Sequence, residues 1–388
     1  MRRDRLQNLE DLFFQEIKDG RLKGCSIMVL HNGNTEFRGE YGSDKRDTIY
    51  RIFSMTKPVT AVAILILMER GLLDLLDPLS GYIPEFKDMK IVTAEGEVSA
   101  KNEITIADCL NMTSGMVYPG EDSVSAIRLS KEAERIAVRQ EFGEKIDAVT
   151  VARAVAGVPL LFEPGTRWNY SVSADVLAGV AEVITGMPFG EFLRRAVFAP
   201  LDMQDTMYVS ELGEKEERLA PLYSRNKDGE IVPMSRQQMD ALSAGAFSSV
   251  RATSFYGGGS GLCSTLSDYS KFALMLLNDG EYNGIRILGR KTAQFMHTDG
   301  LSEEVRKTIS FKNIKGYSYS NLLRIMKDTG EAGSNGSNGE FGWDGMLGTY
   351  FLADPLERLV FVYGQQILGG LDESLMRRIR SIIYSALE

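Results

Sequence analysis

Residues 50–61 read Tyr50-Arg51-Ile52-Phe53-Ser54-Met55-Thr56-Lys57-Pro58-Val59-Thr60-Ala61, and they open a run of good helix formers that continues to Arg70 and stops at Gly71. Residues three apart share a helix face with Cβ atoms roughly 5–6 Å apart, so Ser54 and Lys57 bring a hydroxyl and an amine within reach of proton transfer. Pro58 is compatible with this, because in a first turn it removes only an amide that has no intrahelical acceptor. The helix is therefore expected to start at or just before Ser54, where its free amides and dipole favour negative charge developing beside the serine.

Spacing alone carries little weight, since a Ser-x-x-Lys occurs by chance about once in a chain of this size. Ser224-Arg225-Asn226-Lys227 repeats it in a polar segment followed by Asp228-Gly229, with no helix to fix the pair. Histidine narrows the choice of mechanism. The chain has 2 histidines, His31 in the turn signal His31-Asn32-Gly33-Asn34 and His297 in the polar stretch Met296-His297-Thr298-Asp299. A Ser-His-Asp triad would have to use His297, which reads more simply as a surface residue.

With 388 residues, 44% hydrophobic and 25% charged, the chain can bury a full core and form a cleft. Its 44 basic and 53 acidic side chains leave a formal charge of -9, which argues against nucleic acid as a partner. Cys25, Cys109 and Cys263 lie far apart, so neither a disulfide framework nor a thiolate metal site follows, and no cofactor or metal is expected. The first residues read as an amphipathic helix rather than a secretory signal. The longest apolar run, Val59 to Met68, is too short to span a bilayer, so the expected setting is cytoplasmic, without a membrane partner.

Gly24–Leu30 and Thr35–Tyr41 flank Asn32-Gly33 and read as a β-hairpin. Helical patterns dominate from roughly Ile104 to Asn278, among them Ile106–Met112 and Ala174–Ala181. Gly333–Gly339 has the composition of a flexible loop. Strand-like runs return at Gly348–Ala353 and Leu359–Tyr363, and a closing helix carries Leu371, Leu375, Ile379, Ile382, Ile383 and Leu387 on one face. Strands at both ends with helices between them predict an α+β fold. An antiparallel sheet is built from the two chain ends and flanked by helices, with a mainly helical subdomain inserted. The expected division is a single catalytic unit over 1–388, its α/β part approximately 1–90 and 279–388 and its helical part approximately 91–278.

The Tyr50–Ala61 segment resembles the nucleophile segment of class C β-lactamases and the related family VIII carboxylesterases, within the superfamily of serine β-lactamases and penicillin-binding proteins. Gly71-Leu72-Leu73-Asp74-Leu75-Leu76-Asp77-Pro78 and Ile104-Thr105-Ile106-Ala107-Asp108-Cys109-Leu110-Asn111-Met112-Thr113-Ser114-Gly115-Met116 extend the likeness. It runs in order along most of the chain and is weakest between about Gly213 and Ser254. Phe162-Glu163-Pro164-Gly165-Thr166-Arg167-Trp168-Asn169-Tyr170-Ser171-Val172-Ser173 resembles the family's tyrosine element, which makes Tyr170 the candidate. Val172 stands where β-lactamases carry a substrate-binding asparagine. A literal Tyr-x-Asn, Tyr319-Ser320-Asn321, lacks the preceding Pro-Gly turn and reads as coincidence. In place of Lys-Thr-Gly or His-Thr-Gly stands Trp343-Asp344-Gly345, which is similar to the Trp-Gly-Gly of the carboxylesterases. Gly345 permits close approach of backbone to substrate. The resemblance implies that the amides of Ser54 and Met346 form an oxyanion hole, with Val172, Trp343, Asp344 and Gly345 facing substrate.

These residues predict a serine hydrolase that forms an acyl-enzyme on Ser54, with either Lys57 or Tyr170 as base. Trp343 cannot bind a substrate carboxylate as a lysine would, and Asp344 repels an anion unless it is protonated or turned away. Esters or neutral amides are therefore expected over β-lactams. Asp344 offers an alternative role, recognising the free amine of a D-amino-acid peptide. A reading of another class is a non-catalytic protein that binds peptides or β-lactams, which retention of Ser54, Lys57, Tyr170 and Gly345 together disfavours. The expected partner is a small-molecule ester, amide, β-lactam or short peptide.

Overall fold

The computed structural model describes residues 1–245, 254–311, 314–370 and 372–388. Its main sheet comprises β1 (Gly24–His31), β2 (Asn34–Gly42), β3 (Tyr317–Ser320), β4 (Leu323–Met326), β5 (Phe341–Asp344), β6 (Tyr350–Asp354) and β7 (Leu359–Gly364). The principal helices are α1 (Asn8–Lys18), α2 (Thr56–Glu69), α3 (Val124–Glu141), α4 (Ala148–Ala156), α5 (Ser173–Thr185), α6 (Leu266–Leu277) and α7 (Glu373–Ser385). Leu371 of the expected closing-helix face lies outside the described residues. Leu375, Ile379 and Ile383 of that face are buried.

The strand order is β3-β4-β5-β6-β7-β1-β2, antiparallel throughout, so the two ends of the chain do build one sheet. Asn32 (φ 50°) and Gly33 (φ 79°) turn the hairpin, with the two positive φ angles that a tight two-residue loop of this hand demands. Alternation places Leu359, Phe361 and Tyr363 against α1 and α7, and Val360 and Val362 against the core that holds α6. Both faces of the sheet are covered, which is why β7 reads as a continuous apolar run. α6 falls at the end of the segment expected to be the helical part, yet it packs on β1, β6 and β7 and belongs to the layer over the sheet.

α2 has no polar face along most of its length. Every residue from Thr56 to Leu67 is buried, because the helix runs through the main core shared by the sheet and the helical part. A small sheet pairs Tyr50–Arg51 with Leu262–Ser264, and the latter with Met207–Tyr208. It fixes the chain entering Ser54 beside a segment some two hundred residues further on. The Gly333–Gly339 loop folds over a buried ion pair, Arg380–Glu340, and Ser334 Oγ accepts a hydrogen bond from Arg380 Nε at 2.9 Å.

Candidate active site

Phe53 has φ +43°, a left-handed conformation that costs a bulky residue on the order of 1–3 kcal/mol and persists only where its surroundings enforce it. Here the enforcement is packing, since the Phe53 ring is buried with Leu222, Met234 and Leu347. The resulting 3-10 turn, Phe53–Met55, leads directly into α2 and leaves Ser54 half-exposed at the helix start. Pro58 lies in the first turn, as anticipated.

Lys57 is fully buried, and its Nζ donates to Ser54 Oγ at 3.1 Å and to the Gly259 carbonyl at 2.7 Å. Burial brings its amine down to about 7, against the upward pull of Asp175 and Asp344. Its Nζ also lies 4.7 Å from the centroid of the Tyr170 ring and 5.5 Å from that of Tyr118. The Tyr170 hydroxyl is bonded to Ser54 and accepts Trp343 Nε1–H at 3.2 Å. Burial pushes the Tyr170 phenol well above its ordinary value, and these two bonds only partly oppose the rise. Ser54, Lys57 and Tyr170, drawn from two distant segments, thus form one hydrogen-bonded cluster.

The turn after β5 lies against the Ser54 turn. Thr349 Oγ1 donates to the Ile52 carbonyl at 3.3 Å, and a Cβ added to Gly345 would meet that carbonyl at 2.5 Å. Glycine is demanded at 345 by the close approach of Thr349 and of the backbone preceding the nucleophile, and Gly345 also lines the cavity beside Met346. Among the described residues neither the Ser54 nor the Met346 amide has a hydrogen-bond acceptor, so both are free to bind an oxyanion.

Asp344 is neither a surface carboxylate nor a free one. Its Oδ1 accepts Arg324 Nη1 at 2.6 Å, and the buried guanidinium stacks 4.4 Å from the Tyr350 ring centroid. Burial raises the Asp344 carboxyl, while Arg324 pulls it down. Beyond Met346 opens a cavity of about 790 Å³ walled by Tyr317, Arg324, Asp344, Tyr350, Leu368 and Met376.

Two expected substrate contacts have other roles in the structure. Val172 is fully buried in the main core next to α5 and offers a ligand no surface. Trp343 is 3% exposed, packed against Tyr170 and Tyr319, and is spent on its bond to Tyr170. Ser224 sits on a short strand bonded to Gln238, with Lys227 in the exposed turn after it. Asn321 is held at the end of β3 by the carbonyls of Phe295 and Met296, and His297 stacks on Phe341 at 4.5 Å. Sequence reasoning missed Tyr118, Asp175, Gly259 and Arg324. Three of them carried a signal: a lone carboxylate inside the apolar Ala174–Ala178, a lone arginine inside Leu323–Met326, and the glycine run Gly257-Gly258-Gly259. Among the described residues no group of three or more His, Cys, Asp or Glu is arranged to hold a metal ion.

Comparison with known proteins agrees with this geometry. The family model described as Beta-lactamase matches residues 9–381. Protein Rv1367c of Mycobacterium tuberculosis is 32% identical over 331 residues, covering 82% of this chain and 77% of that protein. Esterase EstB of Burkholderia gladioli is 26% identical over 396 residues, covering 97% and 94%. Among solved structures, EstCE1, described as a hydrolase with promiscuous acyltransferase activity, superposes with a TM-score of 0.79 at 21% identity, covering 98% of each chain. With the family model matched from the first long helix to the last, this chain belongs to the Beta-lactamase family and is an enzyme of the serine hydrolase class.

Proposed function

We propose that this enzyme cleaves carboxylic esters through an acyl-enzyme on Ser54, with Lys57 as the base. The observation that carries the reading is a fully buried amine, 3.1 Å from the serine hydroxyl and brought to about 7 by desolvation. Near neutral pH about half of such an amine is free base. The Tyr170 phenol is shifted the other way, so it stays protonated and acts as donor and relay. Neutral Lys57 takes the Ser54 proton as Oγ attacks the carbonyl carbon, and the oxyanion falls to the Ser54 and Met346 amides. The proton returns through Tyr170 to the departing alkoxide, leaving the acyl group on Oγ. Water then attacks the acyl-enzyme by the reverse proton path and releases the acid.

The choice of ester rests on Asp344 and Arg324. Because each neutralises the other at 2.6 Å, Arg324 is not a free cation for the carboxylate of a β-lactam, and Asp344 is not a free anion for the amine of a D-peptide. The likeness to EstB supports the same reading. The cavity beyond Met346 holds the larger substituent of the substrate. The buried, unpaired Cys25, Cys109 and Cys263 fit a reducing, cytoplasmic setting. Hydrolysis of short-chain p-nitrophenyl esters should outpace that of nitrocefin, with both lost in Ser54→Ala. The reverse preference sinks the ester assignment, and wild-type turnover in Ser54→Ala sinks the nucleophile.

A further inference from the structure

Gly257, Gly258 and Gly259 form a strap between α2 and α5, and two buried ionisable groups flank it, both bonded to Gly259. On one side the Asp175 carboxylate, 2% exposed in the first turn of α5, accepts the Gly259 N–H at 2.8 Å and is also bonded by the Gly258 N–H. On the other, the Gly259 carbonyl accepts Lys57 Nζ at 2.7 Å. Thr60 Oγ1 donates to the Gly258 carbonyl at 2.7 Å and the Tyr208 hydroxyl to that of Gly257 at 2.8 Å. A Cβ would meet Asp175 Oδ1 at 2.9 Å on Gly257 and Oδ2 at 2.6 Å on Gly259, while on Gly258 it would strike the Ala174 backbone. The strap is glycine because the carboxylate and α5 fill the space its side chains need.

We propose that Asp175 is a positioning residue of the hydrolytic site: it ties down the strap whose carbonyl holds the Lys57 amine against Ser54, and it supplies the principal negative charge that this amine faces. The inference rests on the acyl-enzyme reading above. Lys57 faces the hydroxyl of Ser54, the rings of Tyr170 and Tyr118 and the carboxylates of Asp175 on α5 and Asp344 on β5, the latter countered by Arg324 of β4. Asp175 itself faces Lys57, Tyr118 and Tyr208. Burial strips water from the amine and favours its neutral form, and Asp175 opposes that, being the larger of the two charges that pull the amine up. Burial pushes Asp175 up to about 6, so it is charged where Lys57 titrates.

The test is the pH dependence of the rate at which a fluorophosphonate labels Ser54 in the whole protein, wild type against Asp175→Asn. Asparagine keeps the shape, and its amide oxygen still accepts the Gly259 N–H, but the charge is gone. The acid limb of the profile should move to lower pH by at least about half a unit. A purely structural role would lower the whole profile without moving the limb, and a limb in its wild-type place, whatever the height, overturns the proposal. If Asp175→Asn does not fold, Asp175→Ser carries the same test with the same two outcomes. Failure of the underlying reading is separable, because it appears as absence of labelling in the wild type.

Discussion

The sharpest expectation concerns how ester hydrolysis responds to pH. Lys57 can serve as the proposed base only when neutral, and burial brings its amine down to about 7 from the ordinary 10.5. One titrating group makes kcat/KM proportional to the free-base fraction, which is about one-eleventh at pH 6, one-half at pH 7 and ten-elevenths at pH 8. The rate should climb about tenfold from pH 6 to pH 8 and then level off. An unshifted lysine would be only about 0.3% free base at pH 8 and would drive a rise continuing past pH 10. A tyrosine base gives the same late rise, since burial raises the Tyr170 phenol. The assay is initial-rate hydrolysis of a short-chain aliphatic ester between pH 5.5 and 10 at fixed ionic strength, followed by chromatographic quantification of the released acid, so that no titrating chromophore enters the readout. A flat profile from 5.5 to 8.5, or one still rising at pH 10, refutes Lys57 as a desolvated base.

Gly345→Ala forces a methyl to within 2.5 Å of the Ile52 carbonyl, so the β5 turn must retreat by the better part of an ångström. Carrying the Met346 amide away from the oxyanion should cost roughly 10²-fold in kcat, while thermal melting shows a folded protein. Trp343→Phe keeps the aromatic wall but removes the Nε1–H bond to Tyr170. One neutral hydrogen bond is worth about 0.5–1.5 kcal/mol, so steady-state kinetics should show a loss of roughly three- to tenfold. Lys57→Met abolishes turnover yet should raise stability at pH 7 by about 1–3 kcal/mol in urea titration, because a thioether loses nothing on burial. The sign follows from proton uptake. Between pH 7 and 10.5 the unfolded chain binds a proton at Lys57 that the folded one does not, so wild-type stability rises with pH there and the advantage of Met shrinks.

What the sequence disclosed follows how local each feature is. The hairpin, α2 and β7 are written in short-range signals: Asn32-Gly33, a helix-forming run closed by Gly71, and five apolar residues in succession. Ser54 and Lys57 were legible for the same reason, being three residues apart on one turn. Tyr170 needed the wider family likeness, because 173 positions separate it from the Trp343 that bonds it. Lys57 and Gly259 are 202 positions apart and Asp175 and Gly259 are 84, so nothing in either neighbourhood announces the partner. Asp344 was misjudged on the same ground. Its charge was visible, but Arg324, 20 positions earlier on the adjoining strand, was not visible as its neutraliser. Val172 shows the opposite error, in which position within a motif suggested a contact that packing does not permit.

The strand order of the main sheet has a consequence for how the protein is made. β1, carrying Cys25-Ser26-Ile27-Met28-Val29-Leu30, pairs on its inner side with β7, His31 lying opposite Leu359. During synthesis the first hairpin leaves the ribosome with that apolar edge unsatisfied, and its partner arrives only about 330 residues later. At roughly 5–20 residues per second the edge waits some 15–65 seconds, open to pairing with another nascent chain. β7 is thus the closing piece of the molecule. A polypeptide cut short before Leu359 holds Ser54 and Lys57 but lacks the strand that joins its two ends, and it is fated for chaperones or aggregation rather than for catalysis.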